Sequence, residues 1–386
     1  IFDGSISGSV IGLFSTITID KNLTISGPVG NAITLTTGMQ TRALSITSPF
    51  MVSISWINFS DNSSSSGGAI INSGTLFLSQ CSFSNNISEV NGSAHGGGAI
   101  YNNTNAELAV DHCVFTDNRV QPKQPLTNTV VFVRGGAISG NSMSGIARGG
   151  AIYASQPGDI STCTFYNNRA IGTDIMTSGQ GGALYTTNSG GTIGLLFSTF
   201  SENEASGNGS NSSGGNILND GDITLKSTIV ANGVSVAGFE NFHTTGGFAI
   251  STGGNIMDDW SNSSITLDAT DITGDPLLQA PTVINSSFTQ VLPIDCSSPA
   301  IDAGNGTGAP ATDQVNQARV FGSGIDIGAY EQHSTAPSVT ASSSSANICI
   351  GESTTVTASI SGGGTGTYSW DNGLGAGQTH NVTPTT

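Results

Sequence analysis

Apolar positions recur along this chain at intervals of two, broken once by an interval of three, and each run ends on an Asn three residues past its last apolar member. The frame reads Val52-Ile54-Ile57-Phe59-Asn62, Leu76-Leu78-Cys81-Phe83-Asn86, Leu108-Val110-Cys113-Phe115-Asn118 and Ile193-Leu195-Ser198-Phe200-Asn203. A copy at Ile160-Cys163-Phe165-Asn168 lacks only the first apolar residue, and a sixth, Ile229/Asn232, is one residue short. A spacing of two puts side chains on one face of a strand. The single interval of three predicts a bend after which the next residue still points inward. Two short inward-facing strands joined by a bend describe a corner of a solenoid rung, and repetition of that corner predicts a stacked coil.

Successive copies lie 24, 32, 50, 35 and 29 residues apart, so the rungs share a core but carry loops of unequal length. Rungs stacked about 4.8 Å apart place equivalent residues above one another. Phe59, Phe83, Phe115, Phe165 and Phe200 are then expected to form an interior stack. Asn62, Asn86, Asn118, Asn168, Asn203 and Asn232 are expected to form a ladder at a turn, since Asn tolerates left-handed backbone and carries both donor and acceptor. The pattern predicts an all-β chain dominated by a right-handed parallel β-helix. Rungs should begin almost at once, in the alternations Ile17-Ile19 and Leu23-Ile25.

A second phrase, Gly67-Gly68-Ala69-Ile70, recurs at 97–100, 135–138 and 149–152, with variants at 181–184, 214–217 and 253–256. Paired glycines permit positive φ and close approach of backbones between rungs. A phosphate loop is disfavoured, because no Gly-Lys-Ser/Thr follows and no helical period opens.

Composition narrows the functional classes. The 386 residues hold 9 Lys plus Arg against 26 Asp plus Glu, a net charge of −17, which excludes nucleic acid and anionic membrane surfaces as natural partners. Charged residues make up only 9% of the chain, against about a quarter in ordinary domains. Abundant Ser, Thr, Asn and Gly instead fit an extracellular, cell-surface solenoid with polar, uncharged outer faces. No apolar run approaches the roughly 20 residues of a membrane helix, so membrane insertion of this segment is not expected. The start at Ile1, without Met or leader, suggests a processed product or part of a longer chain.

Five cysteines form no disulfide framework. Cys81, Cys113 and Cys163 share one position in the frame, which suggests an interior stack of small side chains; one bridge among them stays open. His95, His112, His243, His333 and His380 show no metal spacing, and His112 is expected to face solvent. Arg134 and Arg148 each precede a Gly-Gly-Ala-Ile phrase, whereas Arg119 and Arg169 each follow a ladder Asn, and pairing with carboxylates is expected of both sets. No cofactor is indicated. Asp-rich turns leave a structural calcium open, although no calcium-loop motif is present.

The repeat signal fades after Asp275-Pro276, which places the β-helix at 1–280. Residues 281–333 are expected to close the last rung as a cap, with a buried Arg319 held by Asp302, Asp313 or Asp326. Ser334-Thr335-Ala336-Pro337 reads as a linker, and the alternating strands of 338–386 as a short, truncated immunoglobulin-like β-sandwich.

Over residues 52–256 the alternation of Gly-Gly-Ala-Ile with Phe-x-x-Asn resembles the repeats of chlamydial polymorphic outer membrane proteins. The phrase Asp326-Ile327-Gly328-Ala329-Tyr330-Glu331 resembles the choice-of-anchor Q module of bacterial surface proteins. The tail, with Cys349-Ile350-Gly351-Glu352 and Tyr368-Ser369-Trp370, is similar to immunoglobulin-like or PKD-like modules of large Bacteroidetes adhesins, which type IX secretion often exports. The resemblance implies a β-helix in a large secreted, surface-attached protein, an adhesin or stalk, with a glycan or other cell-surface ligand and neighbouring domains as partners. It supplies no binding residue. For a sugar contact the candidates are Trp260 with Asp258 and Asp259; Trp56 sits in an apolar rung. A polysaccharide lyase or glycoside hydrolase on the same fold is the alternative, which requires several carboxylates on one face near 220–275. A structural filament or spacer is the third reading.

Overall fold

The computed structural model describes residues 6–90, 97–122, 146–148, 151–154, 158–172, 178–207, 212–261, 263–284, 289–333, 338–345, 347–361, 367–371 and 373–384. The chain divides into two compact units, Ile1–Glu331 and Gln332–Thr386. Every regular element among the described residues is a strand. None of the described residues forms a helix long and apolar enough to cross a membrane.

The first unit is a parallel solenoid whose three main sheets have ten, fourteen and six strands; Ile146–Arg148 pairs in parallel with Ser178–Gln180, and Thr282–Val283 pairs antiparallel with Gln290–Val291. Each rung contributes one short strand to the ten-stranded sheet, and register follows the sequence frame: Phe59 pairs with Phe83, Phe83 with Phe115, Phe115 with Phe165 and Phe165 with Phe200. Their rings stack face to face at 4.9, 4.8, 4.9 and 4.4 Å between centroids, tilted by no more than 9°. The spacing is that of the rungs themselves, so the ring stack and the sheet share one period. Leu35 continues this file above Phe59, and Val230 and Met257 continue it below Phe200. Ile229 therefore lies outside the stack, since it pairs with Thr199 and faces the opposite way.

The interval of three is a left-handed corner. Trp56, Gln80, His112, Thr162, Phe197 and Ser227 occupy it with φ between 46° and 57°. Such a conformation strains a non-glycine residue. Here a side-chain ladder one residue on holds it in place. The backbone N–H of Cys81 donates to Cys113 Sγ at 3.4 Å, that of Cys113 to Cys163 Sγ at 3.4 Å, and that of Cys163 to Ser198 Oγ at 3.2 Å. Ser198 N–H reaches Thr228 Oγ1 at 3.4 Å, Thr228 N–H reaches Asn255 Oδ1 at 2.9 Å, and Asn255 N–H ends on Asp271 Oδ1 at 3.0 Å. The cysteines are free and buried, and they act as acceptors as well as fillers.

The Asn ladder runs beside the Phe stack. Asn62 Nδ2 donates to Asn86 Oδ1 at 2.9 Å, Asn86 to Asn118 at 2.9 Å, Asn118 to Asn168 at 3.2 Å and Asn168 to Asn203 at 2.9 Å. Each also donates to a backbone carbonyl of the rung above, such as Asn118 Nδ2 to Phe83 O at 2.9 Å. Asn232 is not a member. It is exposed, with φ 53°, in the corner column of Asp61, Asn85, Asp117, Asn167 and Glu202. The ladder position of its rung is Gly233, which has no side-chain amide; its backbone N–H donates to Asn241 Oδ1 at 3.0 Å. Asn203 therefore donates to Asn216 at 2.7 Å, Asn216 donates to Asn241 at 2.9 Å, and Asn241 donates to Asp258.

In the Gly-Gly phrases the first glycine turns and the second packs. Gly67 has φ 63°, and a Cβ on Gly68 would meet Gly98 O at 2.2 Å and Ile87 O at 2.6 Å. The copy at 135–138 lies outside the described residues. In the second unit, Ser338–Ser343, Thr354–Ser361 and Thr379–Val382 form one antiparallel sheet, beside a two-stranded ribbon of Ser369–Trp370 and Gly375–Ala376. Trp370 of the ribbon meets His380 of the sheet edge-on, with ring centroids 6.0 Å apart.

Candidate functional site

Trp260, Asp258 and Asp259 do not assemble a sugar groove. Trp260 is 8% exposed and belongs to the hydrophobic core, where its Nε1–H donates to Ile272 O at 2.9 Å. A buried indole offers no face for stacking. Asp258 terminates the Asn ladder: it accepts from the Asn241 amide and from Asn232 N–H at 2.8 Å. An amide chain hands its donors on in one direction, so its last acceptor is best a group with no donor, which a carboxylate supplies. Asp259 is exposed and turns back on Ser261, accepting from its N–H at 2.8 Å and its hydroxyl at 2.9 Å, which lowers its pKa below the ordinary value. Asp258 and Asp259 serve a ladder end and a turn.

Several other carboxylates near 220–275 are likewise engaged one by one. Asp220 accepts from the Tyr185 hydroxyl at 3.1 Å, Asp222 from Phe248 N–H at 3.1 Å, and Asp275 from Leu277 N–H at 2.8 Å. Asp271 receives Asn255 Nδ2 at 3.0 Å and Ser251 Oγ at 2.8 Å, and so ends the second ladder as Asp258 ends the first. An open groove lined by Asn232, Asp275, Leu277, Leu278, Gln279, Asp295 and Ser297 lies nearby. Its Asp295 is occupied by Ser297, whose hydroxyl stands 2.6 Å away. Among the described residues no three His, Cys, Asp or Glu side chains converge to hold a metal ion.

The densest charged constellation lies in 289–331. This segment packs Ile294, Ala300 and Ile327 against Ile229, Ala231 and Ile256 of the later rungs. Its contacts run lengthwise along the flank of the solenoid, over the left-handed corners. Gln80 Nε2 donates to Asn316 Oδ1 at 3.2 Å, Gln314 Nε2 donates to Cys113 O at 3.1 Å, and Thr164 Oγ1 donates to Gln314 Oε1 at 2.5 Å. Further down, Ala329 N–H donates to Thr199 Oγ1 at 3.0 Å and Asn305 N–H to Ser227 Oγ at 2.8 Å. His112 lies beneath this segment, 7% exposed rather than facing solvent, with Nδ1 2.8 Å from Asp111.

Arg319 is 1% exposed, its guanidinium 5.1 Å above the Phe197 ring and donating to the carbonyls of Ala329 and Gly328. Asp313 and Asp326 neighbour it, both buried. Asp313 caps a turn through Val315 N–H at 3.0 Å and Gln317 N–H at 2.8 Å, and Asp326 accepts Asp302 N–H at 2.8 Å. Asp302 itself is exposed and binds the N–H groups of Ser323 and Gly324 at 2.9 and 2.7 Å, outside the buried cluster. Glu331 is a fourth buried member that the cap reading omits. Its two oxygens accept Phe321 and Asp326 N–H, each at 3.0 Å. Burial first, then the Asp326 charge, push its pKa up to about 7.

Of the arginine files, Arg169 meets Glu204 at 2.7 Å, while Arg148 lies 4.8 Å over the Tyr185 ring and bonds Gln180. Arg134 lies outside the described residues.

These features define a parallel β-solenoid built from sequence repeats. Residues 80–103 and 162–187 match the family model of the Chlamydia polymorphic membrane protein repeat. Each match spans two left-handed corners, at Gln80 and Asn85 or at Thr162 and Asn167, with one Phe-x-x-Asn and one Gly-Gly-Ala phrase. No curated protein and no solved structure matches the chain.

Proposed function

We propose that this chain is a segment of a secreted bacterial cell-surface protein, an adhesive or stalk-forming solenoid that performs no catalysis. It contacts glycans or other surfaces through its polar faces and loops. The observation that carries this reading is the pair of repeat matches, on a parallel solenoid whose sequence is rich in Ser, Thr, Asn and Gly and poor in charge. Two facts support a non-catalytic role: Asp258 and Asp271 end ladders, and Asp220, Asp222 and Asp275 each bind a local partner. Such carboxylates are poorly placed to act together. On the phrase Asp326–Glu331 and the tail, we read the parent as a Bacteroidetes-type adhesin with a choice-of-anchor Q-like segment and immunoglobulin-like modules, exported by type IX secretion. A structural calcium belongs to the same proposal.

A second reading, a filament or spacer, draws on the first rungs. Among the described residues, strands Val10–Gly12, Ile17–Ile19 and Leu23–Ser26 each pair on one side only, and Phe14, Val29 and Val10 are 97%, 79% and 67% exposed. Unpaired apolar edges favour edge-to-edge association.

The test is a glycan-array screen of the purified chain, with and without EDTA, with the supernatant assayed for released sugar. Selective binding without release is expected, and its loss on chelation would place calcium at the site. Release of reducing or unsaturated sugar would replace the adhesin with an enzyme. Silence in both channels, with concentration-dependent self-association, would favour the spacer.

A further inference from the structure

The segment 289–331 crosses the rungs of Gln80, His112, Thr162, Phe197 and Ser227 and is held to them by a few side-chain hydrogen bonds. Its own centre contains one guanidinium, Arg319, and three carboxyl groups, Asp313, Asp326 and Glu331, each no more than 1% exposed. With every carboxyl ionised, this site would carry more negative charge than Arg319 can offset, away from water. Such an excess is costly, and a proton relieves it.

We propose that residues 289–331 are a proton-dependent clasp: the segment closes on the solenoid flank while its buried carboxyl cluster retains a proton, and loosens when that proton leaves. Glu331 is the natural holder, because Asp326 stands against it and neither Phe197 nor Thr199, which line the flank below, brings a compensating charge. The remaining charged groups of the flank lie at the clasp's periphery. His112, paired with Asp111, faces Thr312, and the Lys226 ammonium faces the Thr307 carbonyl. Within the segment, Asp302 is exposed and bound to its own turn, and Tyr330 packs with Val291 and Val315.

The sign follows from the direction of the shift. Burial and Asp326 raise Glu331 from an ordinary 4.5 to about 7, so the closed form binds the proton more tightly than the opened form. Closure is therefore strongest below about 4.5 and is lost as pH rises through about 7. Release would uncover the Thr164 and Thr199 hydroxyls and Gln80, a polar strip on an otherwise covered flank.

The experiment is hydrogen–deuterium exchange on the whole chain at about pH 5 and about pH 8, corrected for intrinsic exchange. Amides of 311–331 are expected to lose at least about tenfold protection at the higher pH, while those of the Phe-stack strands keep theirs. Glu331→Gln should flatten the dependence. Asp326→Asn, which keeps the acceptor for Asp302 N–H, should move the midpoint to lower pH. Equal protection at both pH values, or loss spread evenly over the rungs, would overturn the proposal. A pH dependence that persists unchanged in both variants would also overturn it.

Discussion

At the scale of single residues, this fold depends on side chains that satisfy the backbone of a neighbouring rung. Asn118 accepts Asn86 N–H at 3.2 Å and the Asn86 amide at 2.9 Å, and donates to Phe83 O and Asn168. Asn118→Ala would strand several buried polar groups at once and should cost about 3 kcal/mol or more, read as a shift in the urea midpoint. The Cys column gives a sharper contrast. Cys113→Ser keeps an acceptor for Cys81 N–H and should change stability by less than about 1 kcal/mol. Cys113→Val fills the space but leaves that N–H unpaired and should cost about 2 kcal/mol. A valine variant as stable as the serine one would reduce the column to mere packing. Burial pushes the Cys81 and Cys113 thiols well up, so a thiol reagent should label exposed Cys349 in the native protein and reach those two only after unfolding.

At the scale of elements, the frame was legible because strand period, bend and ladder repeat in one order, and the Phe register came out residue for residue. Where the frame shortened, sequence reasoning misassigned members. Asn232 looked like a ladder residue because it follows Ile229 by three, but the true spacing from Val230 makes Gly233 its equivalent. Asn216 takes over the ladder from within a Gly-Gly-Asn-Ile phrase, and the replacement of Ala by Asn there was the available signal. Trp260 was misread because an aromatic beside two carboxylates has the composition of a sugar site. Only the fold shows the indole turned inward and each Asp committed elsewhere. Glycine pairs carry an element-scale prediction. Gly68→Ala places a methyl 2.2 Å from Gly98 O, and no flexible side chain is there to yield. The variant is expected to unfold locally around Ile70–Asn72 and Ile87–Val90, seen as lost amide protection confined to those strands.

At the scale of the molecule, unequal loops leave one uninterrupted core, so the solenoid acts as a scaffold whose surface can vary freely between rungs. The clasp was only half legible. Arg319 with its Asp partners could be picked out as a buried cluster, but a segment that returns along the flank leaves no periodic trace in the sequence. The central claim is that rungs separated by as many as 50 residues of chain still stack in one register. Thr24 and Asp159 are both exposed, and successive pairings of Leu23–Ser26, Met51–Ser55, Thr75–Ser79, Glu107–Asp111 and Gly158–Ser161 place them four rung steps apart. With Cys296 and Cys349 replaced by serine, spin labels at Thr24 and Asp159 would report that separation directly. The account predicts one narrow distance near 19 Å, four steps of about 4.8 Å. A broad distribution, or a mean beyond about 30 Å, would contradict a single in-register solenoid.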